Sequence, residues 1–286
     1  MTTAEFDSLL PAMRFTRRGF LVSSLASGFT LAAGPVMAQT AIATDTQGLT
    51  AGEISVPASD GAMPAYRAQP AAVANPPVIL VVHEIFGVHE YIKDICRRLA
   101  KAGYMAIAPE LYARYGDPSR LKDVQDALAL AAKASDAQVT SDLDACVAWA
   151  KANGGQVDHL GITGFCRGGR TVWLYAAHQP LLKAAVAWYG QLDGAPNANM
   201  PRWPLDVAGE LKAPVLGLYG GKDQGIPLSD VDAMRAELAK AGSKSEIHVY
   251  PDAGHAFHAD YRPSYRKDAA EDGWRRMLAW FKSNGV

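Results

Sequence analysis

Cysteine is scarce in this chain: three in 286 residues, Cys96, Cys146 and Cys166. An odd and small count excludes a disulfide-built fold and leaves at least one thiol free. Charge of one sign is equally lacking, with a formal net charge of −1 and no long basic run. Nucleic acid is therefore not an expected partner. Long apolar runs are missing too: the most apolar stretch near the N-terminus, Gly19–Ala33, is 15 residues diluted by serine and glycine, short of the roughly 20 that a spanning helix needs. No internal repeat or low-complexity tract is present, and Gly220-Gly221 is too short for a phosphate-cradling loop. What the chain does have is 49% hydrophobic residues, enough for a full core in one domain.

The first forty residues read as an address. Thr16-Arg17-Arg18-Gly19-Phe20-Leu21 precedes the modest apolar stretch, and Val36-Met37-Ala38 precedes Gln39. Paired arginines, a short apolar region and a small-residue cleavage site resemble a bacterial twin-arginine export signal. The expectation is a signal peptide over 1–38 read by the twin-arginine export machinery, cleavage near Ala38, no stable membrane anchor after cleavage, and a periplasmic or secreted product. Met13 is an alternative start. Residues 39–50 then read as a polar linker, and 51–286 as a single domain.

From residue 50 onward, short β-rich apolar runs alternate with longer amphipathic stretches. The runs are Glu53–Val56, Ala65–Arg67, Val78–His83, Tyr104–Ala108, Leu160–Thr163, Ala184–Tyr189, Val215–Tyr219 and Glu246–Tyr250. The later ones lack strict alternation, as expected of strands covered on both faces of a parallel sheet. Helical spacing marks Glu90–Ala102, Leu121–Lys133, Val139–Asn153, Thr171–His178, Leu228–Ala241 and Asp268–Lys282. In the third of these, Val139, Leu143, Cys146, Val147 and Ala150 share a face. Cys96 and Cys146 sit in such helices, which makes them small core residues, although a bridge between them stays open. The alternation predicts a doubly wound, mostly parallel α/β sheet of about eight strands flanked by helices. In such sheets ligands bind beyond the carboxyl ends of the strands. Gln191–Gly209 reads as a long surface loop.

Three reactive side chains follow strands in the order nucleophile, acid, base. Cys166 stands in Gly164-Phe165-Cys166-Arg167-Gly168, where an apolar run gives way to a helix; Asp223 follows Gly220-Gly221-Lys222; His255 follows Asp252-Ala253-Gly254. The first is a nucleophile elbow carrying sulfur instead of hydroxyl, and the order is that of α/β-hydrolase triads. A free thiol has a pKa near 8.5, so a histidine beside it must raise the thiolate fraction or take the proton, while the aspartate fixes the histidine tautomer. Acyl transfer to sulfur gives a thioester that water hydrolyses, and this chemistry calls for no cofactor. A charged residue, Glu84, stands at the mouth of the first central strand, where an ionised carboxylate is rarely buried unpaired. Each member also has a bland reading: a buried structural cysteine, a turn aspartate, a loop histidine and a structural ion pair. His255 and His258 are three apart, yet no third ligand is in register for a metal.

These segments together resemble the dienelactone hydrolase family: His83-Glu84-Ile85-Phe86-Gly87, Pro109-Glu110-Leu111-Tyr112-Ala113-Arg114, the Gly-x-Cys-x-Gly-Gly elbow at 164–169, Trp188-Tyr189-Gly190, the Gly-x-Asp turn at 221–223 and Gly254-His255-x-Phe257. The resemblance spans about 50–284 and implies the α/β-hydrolase fold and hydrolysis of a small ester or lactone. It further implies that Cys166, Asp223 and His255 form the triad, that Glu84 interacts with the resting thiol and helps deprotonate it, and that the backbone N–H groups of Ile85 and Arg167 form an oxyanion hole.

Two departures bear on substrate. The family carries an arginine for a substrate carboxylate four residues after the catalytic histidine, and here that residue is Ala259. Arg262 and Tyr261 are near in sequence, Arg114 and Arg120 are candidates from the other side, with no assignment among them from sequence, and Tyr189 either lines the pocket or packs in the core. The residue after the cysteine is Arg167, where an apolar residue is common; its side chain either meets an anionic substrate or pairs with a surface acid. A thioesterase or broad carboxylesterase fits the same residues. A non-catalytic, redox-sensing role for Cys166 is the competing class.

Overall fold

The structure, a computed structural model, describes residues 41–118, 121 and 123–286. The export signal expected over 1–38, and Arg120, lie outside the described residues. One eight-stranded sheet runs in the order β1-β2-β4-β3-β5-β6-β7-β8. β1 (Leu49–Ala58) and β2 (Gly61–Pro70) form an antiparallel hairpin, and β2 pairs antiparallel with β4 (Met105–Pro109). All pairings from β4 onward are parallel: β3 (Pro77–Val82), β5 (Gln156–Phe165), β6 (Leu182–Trp188), β7 (Val215–Gly220) and β8 (Glu246–Tyr250). The expected mostly parallel α/β sheet is the one observed.

Helices cover both faces. In chain order they are α1 (Glu90–Lys101), α2 (Val124–Ala131), α3 (Asp136–Ala152), α4 (Arg167–His178), α5 (Pro204–Val207), α6 (Leu228–Lys240) and α7 (Lys267–Ser283). Burial on two sides explains why β4, β6 and β7 read as unbroken apolar runs: every residue of β4 and β7 is buried. Val139, Leu143, Cys146, Val147 and Ala150 of α3 face the core as their spacing requires. Cys96 and Cys146 are both buried and both unbridged. Among the described residues no helix is long and apolar enough to cross a membrane.

Differences from the sequence reading fall at element ends. The hairpin strands each run ten residues, where four and three were expected, because β1 is largely solvent-facing and its pattern is diluted by Gly52 and Glu53. β1 begins at Leu49, so the last two residues of the expected linker are strand. The residues before it are also tied down: Thr44 N–H donates to Asp94 Oδ1 at 2.5 Å, and Lys101 Nζ donates to Asp45 Oδ1 at 2.6 Å and Gln47 O at 2.7 Å. α2 starts at Val124 rather than Leu121 because Asp123 caps it, accepting from Asp126 N–H at 2.8 Å. The loop expected at 191–209 contains α5, whose entry is fixed by Trp203 N–H donating to Asp206 Oδ2 at 2.7 Å.

α4 starts at Arg167, four residues earlier than its apolar pattern suggested, and this sets the site. Gly168 and Gly169 dilute the helical signal but are what lets the helix begin there. A Cβ on Gly168 would lie 2.3 Å from Val82 O, and one on Gly169 would lie 2.5 Å from Trp188 O. The first turn of α4 is thus wedged between the carboxyl ends of β3 and β6, both backbone and unable to yield cheaply. Gly168→Ala should lower stability by about 1–3 kcal/mol or more through this overpacking. In thermal unfolding that is a midpoint several degrees lower; an unchanged midpoint would show the wedge to be looser than described.

Candidate active site

Four groups flagged in the sequence stand on loops at the carboxyl edge of the sheet. Glu84 lies two residues beyond β3, Cys166 directly after β5, Asp223 three beyond β7 and His255 five beyond β8. Cys166 occupies the sharp turn between strand and helix, with φ 54° and ψ −117°, a backbone region that L-residues rarely adopt. Its amide donates to Trp188 O at 3.0 Å, so the neighbouring strand end holds the turn. Strain of this kind persists where surrounding packing over-determines it, and here the packing is the glycine wedge.

Asp223 and His255 are joined directly. His255 Nδ1 donates to Asp223 Oδ2 at 2.7 Å, and Asp223 Oδ1 accepts from Gly225 N–H at 2.9 Å. Both residues are buried, so the bond acts in a low-dielectric setting. With Nδ1–H turned to the carboxylate, Nε2 is the basic nitrogen. It is buried without a hydrogen bond of ordinary geometry, and the Cys166 thiol is the group facing it. Burial works to depress the imidazole pKa, but the Asp223 and Cys166 charges outweigh it and hold it well above the usual histidine range. Tyr189, another residue at positive φ, packs its ring edge-on to His255 at 5.2 Å.

Glu84 is buried in a polar network of its own. It is 2% exposed, and its Oε2 accepts from Tyr261 Oη–H at 2.5 Å and pairs with His89 Nε2 at 3.3 Å. Its side-chain hydrogen bonds are to Tyr261 and His89. Burial alone would raise its pKa, but the His89 hydrogen bond, the Arg262 charge and the Tyr261 hydroxyl together bring it down to about 2. The carboxylate is therefore ionised and tethered.

A cavity of about 350 Å³ opens at Cys166 and His255. Cys166, His255, Ile85 and Tyr189 line it, with Leu128, Trp203 and Ile226 supplying apolar wall. Among the described residues, the backbone N–H groups of Ile85 and Arg167 donate no hydrogen bond, the second because it opens α4. Two of the expected substrate-binding arginines are corrected. Arg114 is engaged on both edges, by Asp60 at 2.5 Å and by Asp142 at 2.8 Å, partners 54 and 28 residues away that no local pattern reveals. Arg262 does not line the cavity; it is buried over the Phe86 ring at 4.9 Å, with Nε donating to Tyr261 Oη at 3.2 Å, and its charge acts on Glu84. Tyr189 does line the cavity. His258 is a core residue, bonded to Tyr91 Oη at 2.7 Å and packed against Trp188 at 4.4 Å. Among the described residues no group of three or more His, Cys, Asp or Glu is placed to hold a metal ion. Sequence reasoning missed His89 as a partner of Glu84, and Met200 and Trp203 as cavity wall. The loop carrying the last two was read as surface because its Pro, Asn and Gly content hid them.

The model of the dienelactone hydrolase family matches residues 63–285. The chain belongs to the dienelactone hydrolase family. It is therefore a hydrolase of carboxylic esters on the α/β-hydrolase fold. A Methylorubrum extorquens protein named "Putative carboxymethylenebutenolidase" is 58% identical over 99% of this chain and 98% of the relative. An Escherichia coli K12 protein of the same name is 57% identical over 91% of this chain and 96% of the relative. A crystal structure from Klebsiella pneumoniae, named "Putative Dienelactone Hydrolase", superposes with TM-score 0.81 at 55% identity, covering 82% of this chain and 98% of that one. The fold extends further, to a Pyrococcus horikoshii acylaminoacyl peptidase at 17% identity and TM-score 0.67, covering 83% of this chain and 42% of that one.

The depressed Glu84 pKa carries a prediction for acid stability. A carboxylate whose folded pKa lies below its unfolded value near 4.5 contributes stability that is complete above about pH 5 and lost as pH falls toward 2. The contribution is on the order of 3 kcal/mol. Urea unfolding from pH 6 to pH 2.5 should therefore show wild type losing stability more steeply than Glu84→Gln; parallel profiles would mean that Glu84 is not held as the anion.

Proposed function

We propose that this hydrolase cleaves a small ester or lactone, of the dienelactone kind, through a Cys166–His255–Asp223 triad and a thioester acyl-enzyme. The observation that carries the reading is the 2.7 Å Asp223–His255 hydrogen bond with the free Nε2 turned toward a thiol at the floor of a cavity. His255 Nε2 holds the proton drawn from the thiol, and sulfur bonds to the carbonyl carbon as the thiolate. The developing oxyanion is met by the unpaired N–H groups of Ile85 and Arg167, donors already oriented before reaction. Collapse breaks the carbon–oxygen bond of the ester, and the departing oxygen takes the proton from His255; in a lactone the alcohol stays tethered to the acyl group. Water then gives a proton to His255 and its oxygen to the thioester carbon. Loss of the thiolate, which regains that proton, completes the cycle.

Asp223 has no use in a redox-sensing thiol, which needs no acid to orient a base. Glu84, held as an anion by Tyr261 and His89, supplies a fixed negative charge beside the triad. Proton transfer from the thiol is left to His255, whose charge Asp223 and Cys166 favour. The pairing of Arg17 and Arg18 ahead of a weak apolar stretch and an Ala-ending cleavage site supports the same protein being exported through the twin-arginine route, with a periplasmic or secreted site of action.

Purified protein should hydrolyse p-nitrophenyl esters. Cys166→Ala should lower kcat/KM by about 10³-fold or more, and Asp223→Asn by roughly 10²- to 10⁴-fold, on the scale by which triad members act elsewhere. Undiminished turnover in Cys166→Ala would sink the mechanism. Separately, Arg17→Lys combined with Arg18→Lys should shift the protein from the periplasmic to the cytoplasmic fraction, and unchanged export would remove the twin-arginine reading.

A further inference from the structure

On the side facing α1 and α7, the loop that carries His255 is held by charge more than by packing. It runs from Pro251 to Arg266 between β8 and α7, and Ala256, the residue after the histidine, sits at φ 57°. A residue other than glycine keeps that conformation only where its surroundings over-determine it. Between the loop and α7 lies a second cavity of about 310 Å³, lined by His258 and Tyr265 from the loop, Trp274 from α7, Arg98 from α1 and Ile42 from the segment before β1. Side chains bordering a void forgo contacts there, so packing leaves this side of the loop without full support.

A chain of charged groups supplies that support. Asp260, five residues beyond His255 and 2% exposed, accepts from Arg98 Nη2 at 2.5 Å and from the Ile42 amide. Arg98 Nε donates in turn to Asp94 Oδ2 at 2.5 Å, and Asp94 Oδ1 accepts from the Thr44 amide at 2.5 Å. Alternate residues of one segment thus each grip one of the two carboxylates that Arg98 bridges. Both carboxylates are buried, where losing a partner is costly. Tyr261, next to Asp260, is the residue that donates to Glu84.

We propose that Asp260 is a positioning residue, clamped by Arg98 and by the segment 42–44, and that this clamp sets the turn at Ala256 and with it the approach of His255 Nε2 to the Cys166 thiol. The proposal rests on the triad reading above and deepens it. Asp223 fixes one nitrogen of the imidazole, and the Lys222 amide fixes the loop entrance by donating to Ala253 O at 2.8 Å. The clamp fixes the stretch beyond the histidine, and it does so from residues just ahead of β1. A misplacement of about 1 Å at a catalytic group costs on the order of 10²-fold in rate, so a small loosening is enough to be seen.

The test uses the whole chain as wild type, as Asp260→Asn, and as Thr44→Pro, which removes the amide donor to Asp94. Ala43→Pro is the control, a proline in the same segment at an amide that, among the described residues, donates to no acceptor. One readout is kcat and KM for p-nitrophenyl acetate below the unfolding transition. The other needs no substrate: the rate of Cys166 alkylation by iodoacetamide at about pH 6, where reaction reports the thiolate held by the imidazolium. Asp260→Asn should lower kcat by about 10- to 100-fold with KM nearly unchanged, and slow alkylation by about 10-fold. Thr44→Pro should act in the same direction to a smaller extent, and Ala43→Pro should match wild type. If Asp260→Asn does not fold, Thr44→Pro carries both readouts. A merely structural tie would lower the thermal midpoint of the two variants and leave kcat and alkylation of the folded protein at wild-type values, and that result would overturn the clamp. Wild type that hydrolyses no ester, with Cys166 alkylation still slowed in Asp260→Asn, would count against ester hydrolysis and for the clamp.

Discussion

The close approach of α4 to the ends of β3 and β6 is the constraint on which the site depends. Gly168 and Gly169 touch backbone carbonyls where a single methyl group would collide. With the helix pressed that tightly against the sheet, the chain must turn within one residue, and that residue, Cys166, takes positive φ. The turn lifts the thiol out of the strand and into the cavity. It also leaves the Arg167 amide at the first helical position, where no intrahelical partner exists. Nucleophile and candidate oxyanion donor thus both follow from one packing contact.

Around this turn the ionisable groups are sorted into separate pairs rather than pooled. Asp223 commits its charge to His255, Glu84 to Tyr261, His89 and Arg262, Asp136 to Arg170, and Asp142 and Asp60 to Arg114. Buried charge is tolerated when it is paired, and among the described residues the pairing leaves His255 Nε2 at the cavity without a hydrogen bond of ordinary geometry. That nitrogen lines the cavity together with the Cys166 thiol.

Much of this was legible in the chain. The central strands are apolar enough to be read directly, and the positions of Cys166, Asp223 and His255 after their strands follow from strand order alone. Element ends were not legible, because caps such as Asp123 and wedges such as Gly168 act through neighbours that the sequence does not place. The substrate arginines were misjudged for the same reason: Arg114 is spent on Asp60 and Asp142, distant in sequence, while Arg262 serves Glu84 across 178 residues of chain. Glu84 itself was placed correctly at a strand mouth, but its partners Tyr261 and His89 could only be found in three dimensions. Arg167 was ambiguous in sequence because its hydrogen-bond partners Ala134 O and the Met200 sulfur lie 33 residues away on either side.

The central claim is that Cys166 carries the acyl group. Acid-quenching wild-type protein in the pre-steady state with a p-nitrophenyl ester, then mapping the adduct by peptide mass spectrometry, tests it without any substitution. The account predicts one acyl group, on Cys166, removable by hydroxylamine as a thioester should be. An acyl group on any other residue would contradict it.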